Sequence, residues 1–399
     1  MEMNIFENKE NANNGPRSIT ILGSTGSIGC STLDLIKFTP KRFEVVALTG
    51  NENVNLLIKQ AIAFKPKLAV IGNEKLFNEL KEGLSGTKIM VAAGKAALVE
   101  AAEMGSEIVV AGIVGIAGLL PTIAAVKRGA IIALANKECL VCSGTLFLNE
   151  VSRSGATLLP IDSEHNAIFQ VFDFNNSSSV DRLTLTASGG PFIRSSREEL
   201  LKVTPSQAVK HPNWDMGAKI SVDSATMMNK GLELIEAYYL FPVEENQIDI
   251  LIHPQSVIHS MVSYNDGSVL AQMGTPDMRI PISYALAWPN RFRTPAERLD
   301  LSEIGELNFQ KPNPKRFPAL ALARDALKMG GAMPTVLNAA NEVAVDCFLN
   351  EKIGFLDIMR VIEEVLDETS NSTLHQLSEI SSCDYTIRKR AQEIAFELT

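Results

Sequence analysis

Three stretches of the chain gather residue types that can do chemistry. The first is Gly23-Ser24-Thr25-Gly26-Ser27-Ile28-Gly29, directly after the apolar run Ile19-Thr20-Ile21-Leu22 and directly before a helix-period segment. Glycines let a backbone approach a pyrophosphate, and a helix N-terminus offers unpaired N–H groups and the positive end of its dipole. The spacing is GxxGxxG rather than GxGxxG, so the preceding strand and the following helix carry the reading of a dinucleotide site over a bare turn. The 2′ position of such a cofactor is read about 20 residues further on, after the second strand. There the chain has Thr49-Gly50-Asn51-Glu52-Asn53. Glu52 by itself hints at NAD, because a carboxylate suits a ribose hydroxyl and repels a phosphate.

The second stretch is Leu158-Leu159-Pro160-Ile161-Asp162-Ser163-Glu164-His165-Asn166. Two carboxylates two apart at a strand end can converge on one hard cation. The same pattern also arises as an N-cap followed by a solvated Glu, and the spacing leaves both readings open. The third runs from Lys219 to Glu236 and sets Ser221, Ser224, Thr226, Asn229 and Lys230 beside Glu233. Phosphate recognition with a further carboxylate ligand is the functional reading; an ordinary polar helix face is the other. Between them, Thr186-Ala187-Ser188-Gly189-Gly190-Pro191-Phe192 has the makings of a backbone nest for a phosphate oxygen. His211-Pro212-Asn213-Trp214-Asp215-Met216-Gly217 places one of two tryptophans in a loop bounded by Pro and Gly, where a large ring can close over a substrate. Cys139 and Cys142 form a lone CxxC with no second pair, which argues against zinc. His253, His259 and His375 default to structural histidines.

These residues need elements to hold them. Short β-branched runs recur at Ser18–Leu22, Phe43–Leu48, Leu68–Ile71, Ile108–Val110, Ile131–Leu134 and Thr157–Pro160, with helix-period segments in most intervals. Continuous apolar strands alternating with helices predict an α/β fold with a parallel sheet covered on both faces, here a doubly wound Rossmann-type domain over 18–160. After Pro160 the strands cluster, two of them joined through Asn265-Asp266-Gly267, a hairpin signal. That predicts a central α+β domain with an antiparallel element over 161–287. Five prolines make 288–318 a linker arm, and the Ala-, Leu- and Glu-rich remainder, 319–399, reads as a C-terminal helical bundle. Residues 1–17, polar and of mixed charge, read as a disordered tail.

Composition bounds the rest. The 399 residues allow two to three domains at about 150 residues each. With 46% hydrophobic and 21% charged residues the chain is ordinary globular material, neither collagen-like nor wholly disordered. A net charge of −9 with no basic cluster speaks against nucleic acid as a partner. Ile108 to Val126 carries no charge for nineteen residues, long enough to span a membrane. Its glycines and Pro121 favour a buried strand, a glycine turn and a helix, so no membrane partner is expected. Five cysteines are too few and odd in number for a disulfide framework and suit a reducing cytosol. Without an Arg-rich transit peptide, a bacterial cytoplasm is the expected location.

Taken together, the motifs resemble those of the 1-deoxy-D-xylulose 5-phosphate reductoisomerase family. The resemblance runs from about Ser18 to the last helix. It rests on the glycine loop, Leu134–Glu138, Pro160–Gln170, the Ser188-Gly189-Gly190 turn, the His211–Gly217 loop, Lys219–Glu236, His253–Val262 and Asn338–Glu342. It implies an enzyme that uses NADPH and Mg2+ or Mn2+ to rearrange and reduce a phosphorylated ketose, and that works as a homodimer. Carried over position by position, it assigns Thr25, Gly26, Ser27 and Ile28 to the cofactor phosphates. It sets Gly50, Asn51 and Asn53 near the ribose, and Asn136, Glu138 and Gly217 near the nicotinamide half. Asp162, Glu164 and Glu233 match the metal ligands, and Lys137, Ser163, Glu164, Ser188, His211, Trp214, Ser224, Asn229, Lys230 and Glu233 match substrate contacts. The implied catalytic residues are Lys137, Asp162, Glu164, Glu233 and His211. Where many members carry Lys or Arg, this chain has Glu52, which removes a cation from the 2′-phosphate pocket.

Two other readings compete. A plain NADP-dependent dehydrogenase acting without rearrangement would need the glycine loop and phosphate site but not three carboxylates. A cofactor-binding scaffold that has lost its chemistry would show damage at Lys137, Asp162, Glu164 or Glu233, and all four are intact.

Overall fold

The structure is a computed structural model that describes residues 15–214 and 216–398. The described chain forms two compact units: 15–139 with 147–166 and 277–297, and 140–146 with 167–276 and 298–398.

The first unit is built on seven parallel strands: β1 (Arg17–Leu22), β2 (Phe43–Gly50), β3 (Leu68–Ile71), β4 (Met90–Ala93), β5 (Ile108–Ala111), β6 (Ile131–Leu134) and β7 (Thr157–Pro160). Their order is β4-β3-β2-β1-β5-β6-β7. The winding therefore reverses between β1 and β5, and in such a sheet ligands bind in the crevice beyond the strand ends at that point. Ile19, Ile21, Val109, Val110 and Ile132 have no exposed surface, as strands covered on both faces require. The uncharged stretch 108–126 resolves into β5, a short turn and the helix Leu119–Lys127. Among the described residues no helix is long and apolar enough to cross a membrane.

The second unit has a four-stranded mixed sheet in the order β11-β10-β8-β9, with β8 (Val180–Ala187), β9 (Ile248–Ile252), β10 (Ile258–Tyr264) and β11 (Val269–Met273). β8 and β9 run parallel; β10 is antiparallel to both β8 and β11. The hairpin between β10 and β11 turns at Gly267, whose φ of 88° only glycine adopts without strain. Helices Ala218–Thr226 and Met228–Leu240 and the four C-terminal helices from Pro318 onward complete the unit. Phe348, Leu337 and Val336, nearly or fully buried, lie in the long helix Met333–Leu349, which pairs Glu342 with Arg388 of the last helix.

Three features differ from expectation. β1 begins at Arg17, inside the expected tail, because its guanidinium pairs with Glu107 at 2.8 Å and donates to the Leu286 carbonyl at 2.7 Å; the tail's residues 1–14 lie outside the described residues. β4 was not anticipated. Finally, residues 277–297 join the first unit rather than a 161–287 domain. Their helix Arg279–Ala287 buries Ile282, Ala285 and Leu286, and Arg279 pairs with Asp34 at 2.8 Å. The arm beyond them belongs with the second unit: Gln310 bridges Ile252 of β9, and Arg316 donates to the Phe192 carbonyl at 2.8 Å.

Candidate active site

The glycine loop sits at the end of β1, at the switch point. Gly23 has φ of 81°, and a Cβ there would come within 2.7 Å of the Gly112 carbonyl oxygen beyond β5. A Cβ on Gly29 would overlap the backbone of Ser24, so the helix Ser27–Phe38 can start this close to the strand only with glycine at that position. The loop is stitched to its neighbours. The Gly23 N–H donates to Thr49 Oγ1 at 2.9 Å, the Ser24 N–H to the Thr49 carbonyl at 2.7 Å, and buried Ser24 exchanges hydrogen bonds with Gln60 at 2.7 and 2.8 Å. Gly26 starts the helix with no side-chain cap, which leaves its first N–H groups for an anion. Thr25, Gly26, Ser27, Ile28, Gly50, Asn51 and Asn53 thus lie at or beside one loop. Asn53 Oδ1 is engaged in capping, accepting from the Leu56 N–H at 3.1 Å.

Beyond β6 and β7, Lys137 and Asp162 meet: Nζ lies 2.5 Å from Oδ2. The two strands are direct neighbours, so residues just past their ends face each other. Burial works against the Asp162 charge, but Lys137 and then His165, whose Nδ1 is 3.8 Å away, hold its carboxyl well below the ordinary range. Ser163 donates to Glu164 Oε2 at 2.6 Å. Asn136 donates to the carbonyls of Ile113 and Gly115 and accepts from the Cys139 N–H at 2.9 Å. Its amide therefore ties the turn after β5 to the start of the helix carrying Glu138, which is itself buried. The cysteines of the lone CxxC are buried free thiols.

In the second unit, Glu233 is buried and receives hydrogen bonds from Lys230 and Asn229 on the same helix. Ser188, at the end of β8, lies 2.9 Å from His211 Nε2 and accepts from the Gly190 N–H at 3.1 Å. His211 Nδ1 accepts from the N–H groups of Asn213 (3.2 Å) and Trp214 (3.0 Å). Burial pushes the His211 pKa down to about 4. Gly189 and Gly190 both have positive φ, and a Cβ on Gly190 would meet the Ser224 carbonyl at 2.7 Å, so the nest lies against the helix of Ser224. Trp214 lies 6.0 Å, ring to ring, from His259, and Gly217 caps the helix Ala218–Thr226; Asp215 lies outside the described residues. Ser188, Gly190 and Pro212 share a cavity of about 720 Å3 with Arg194, Asn308 and Phe309.

The structure thus gathers the glycine-loop residues in one place, Lys137, Asp162 and Ser163 with Glu164 in another, and Ser188, His211 and Trp214 in a third. Of the expected carboxylate set, Asp162 and Glu164 belong to the first unit and Glu233 to the second. Sequence reasoning missed Thr49 and Gln60, which brace the glycine loop, and Asn213, whose Nδ2 ties the Trp214 loop to the Pro254 carbonyl at 2.7 Å and Ser256 Oγ at 2.9 Å. Polar residues near the loop strings were visible, but nothing in their spacing distinguished them from side chains that simply face water.

A parallel doubly wound sheet with an uncapped glycine loop at its switch point defines a dinucleotide-dependent α/β enzyme. Three family models match the chain: 1-deoxy-D-xylulose 5-phosphate reductoisomerase over residues 19–144, its C-terminal domain over 158–241, and the DXP reductoisomerase C-terminal domain over 273–390. The chain is 56% identical over 394 residues to the 1-deoxy-D-xylulose 5-phosphate reductoisomerase of Rhodospirillum centenum, covering 99% of this chain and 98% of that one. It is 54% identical to the Zymomonas mobilis enzyme, covering 94% and 97%. The solved Zymomonas mobilis structure in complex with NADPH superposes with a TM-score of 0.90 at 52% identity over 95% of this chain and 99% of that one. A reductoisomerase solved with NADPH, fosmidomycin and magnesium gives 0.92 at 43% identity, covering 95% and 98%. The chain belongs to the 1-deoxy-D-xylulose 5-phosphate reductoisomerase family.

Proposed function

We propose that the residues gathered above divide the labour of this family's reaction. The chain is an NADPH- and divalent-metal-dependent enzyme that isomerises and reduces 1-deoxy-D-xylulose 5-phosphate to 2-C-methyl-D-erythritol 4-phosphate. The observation that carries the assignment of roles is the contact of Lys137 with an ionised Asp162 beyond two adjacent strand ends.

Asp162, Glu164 and Glu233 are the proposed cation ligands. The donors fit: all three are carboxylate oxygens, which suit magnesium or manganese. Asp162 is held ionised, and the buried Glu233 carboxylate is kept charge-compensated by Lys230. When bound, the cation supplies Lewis acidity to the substrate's ketone and hydroxyl oxygens, and the reduced nicotinamide supplies hydride. Lys137 Nζ stabilises negative charge developing on a substrate oxygen while the carbon skeleton rearranges. Ser188, Ser224, Asn229 and Lys230 grip the phosphate, and this remote binding energy orients the reacting end. His211 holds Ser188 in place, and Trp214 covers the substrate and excludes water. The glycine loop, with Gly50, Asn51 and Asn53 at the ribose and Asn136, Glu138 and Gly217 at the nicotinamide half, seats the cofactor.

The enzyme acts as a homodimer in this proposal. β11 is an edge strand with Val269 and Leu270 about half exposed, which suits pairing with a second copy. Five free cysteines suit a bacterial cytosol. The test is NADPH absorbance with 1-deoxy-D-xylulose 5-phosphate, with magnesium and then with chelator. Metal-dependent loss of absorbance supports the assignment; loss that survives chelation supports a simple dehydrogenase instead.

A further inference from the structure

We infer that Glu52 sets the nicotinamide preference of this enzyme and lets it use NADH alongside NADPH. The inference rests on the glycine loop being the cofactor site. β2 ends at Gly50, where a Cβ would meet the Thr25 side chain at 3.1 Å, so the tip of β2 lies against that loop. Glu52 follows two residues later, exposed, in the short connection to the helix Val54–Phe64. In a doubly wound fold this is the place from which a carboxylate accepts hydrogen bonds from the ribose hydroxyls, whereas a 2′-phosphate is met there by an arginine.

The carboxylate is aimed rather than loose. Glu52 Oε2 accepts from Asn73 Nδ2 at 2.9 Å and Oε1 from Asn51 Nδ2 at 3.4 Å. Asn73 is itself fixed just beyond β3, its N–H donating to the Asn51 carbonyl at 3.3 Å, next to the Gly72 N–H that donates to the Gly50 carbonyl at 2.7 Å. Among the described residues, then, Glu52 has two neutral amides as partners, and neither offsets its charge. Each carboxylate oxygen has two acceptor sites, so one on each remains for a hydroxyl donor. A 2′-phosphate, carrying about −1.5 to −2 charges at neutral pH, is repelled by the same group. The charge that favours a bare ribose therefore takes from NADPH part of the advantage a cation would give it.

The test is calorimetric titration of the protein without substrate, using NADPH and NADH separately, for the wild type, Glu52→Gln and Glu52→Arg. Thermal melts confirm that each variant is folded. Glu52→Gln is expected to raise the ratio of the NADH to the NADPH Kd about tenfold, equivalent to about 1.4 kcal/mol, and Glu52→Arg to raise it further. Wild-type protein should also turn over 1-deoxy-D-xylulose 5-phosphate with NADH. A ratio that moves less than threefold in both variants, or wild-type protein that binds NADPH but not NADH, overturns the inference and leaves the family reaction standing. Failure of every form to bind either dinucleotide overturns the cofactor site itself.

Discussion

Ser188 Oγ lies 2.9 Å from His211 Nε2, while His211 Nδ1 accepts two backbone N–H bonds from its own loop. Those two donors require Nδ1 to be unprotonated, so Nε2 carries the proton and donates to Ser188. Ser188 Oγ also accepts from the Gly190 N–H, which leaves its own hydroxyl proton to point outward at an anion. Protonating His211 would set an Nδ1–H against two backbone N–H groups.

This predicts an acid-sensitive site. The ordinary histidine value of 6.5 applies to the unfolded chain, and burial lowers it to about 4 in the folded one. Between those values the unfolded chain binds more protons, so the stability tied to neutral His211 is fully present above about pH 6.5 and is lost as pH falls toward 4. His259, also pushed down to about 4 chiefly by burial, adds to the effect. Thermal melts at pH 7 and pH near 4.5 should show a smaller loss of Tm for His211→Gln than for the wild type. An equal loss would mean that His211 titrates as an ordinary surface group.

Glu233 and Lys230 form a buried ion pair, with only 1% and 4% of their side chains exposed. Glu233→Gln is expected to lower turnover by orders of magnitude. It should also destabilise the fold by about 3 kcal/mol, because it removes the carboxylate from a buried ion pair. Adding Lys230→Met should restore stability but not turnover. Denaturant unfolding and initial rates at saturating magnesium check both halves, and near-normal turnover of Glu233→Gln would remove Glu233 from the ligand set.

Trp214 is held by its backbone N–H to His211, whose Nε2 meets Ser188 of the proposed phosphate grip, and its ring lies 6.0 Å from that of His259. Trp214→Ala should therefore weaken fosmidomycin and substrate binding at least tenfold while changing the NADPH Kd little. Comparable losses for cofactor and inhibitor would make Trp214 a packing residue rather than a cover.

Much of this was legible in the sequence, and the limits are physical. β3, β6 and β7 begin and end where their apolar runs do, because a strand buried on both faces shows itself as an unbroken run. β4 escaped because Met90-Val91-Ala92-Ala93 is half-exposed and its alanines run into the helix Gly94–Glu103 without a composition change. The helix Glu138–Ser154 reads as continuous, yet Gly144 breaks it at φ of 33°, where a Cβ would strike the Tyr239 ring. That constraint comes from 95 residues downstream. The Ser188–His211 contact and the two asparagines around Glu52 are likewise long-range, so residue types announced the chemistry and only the packing showed which atoms do it.

The glycine loop offers the sharpest contrast between neighbouring positions. A Cβ on Gly29 would overlap the Ser24 and Gly23 backbone, which cannot move without breaking the Ser24 bonds to Thr49 and Gln60. At Gly26 the nearest atom to an added Cβ is the Gly23 oxygen at 3.5 Å, and φ of −81° suits any residue. Gly29→Ala is thus expected to lower the melting temperature by several degrees and to raise the NADPH Kd at least a hundredfold, since the loop must shift away from its strand. Gly26→Ala should keep wild-type stability and alter NADPH binding less than tenfold. Scanning calorimetry and cofactor titration of the two variants side by side decide the matter. Equal tolerance at both positions would show that close packing of the helix on the strand is not what shapes the dinucleotide site.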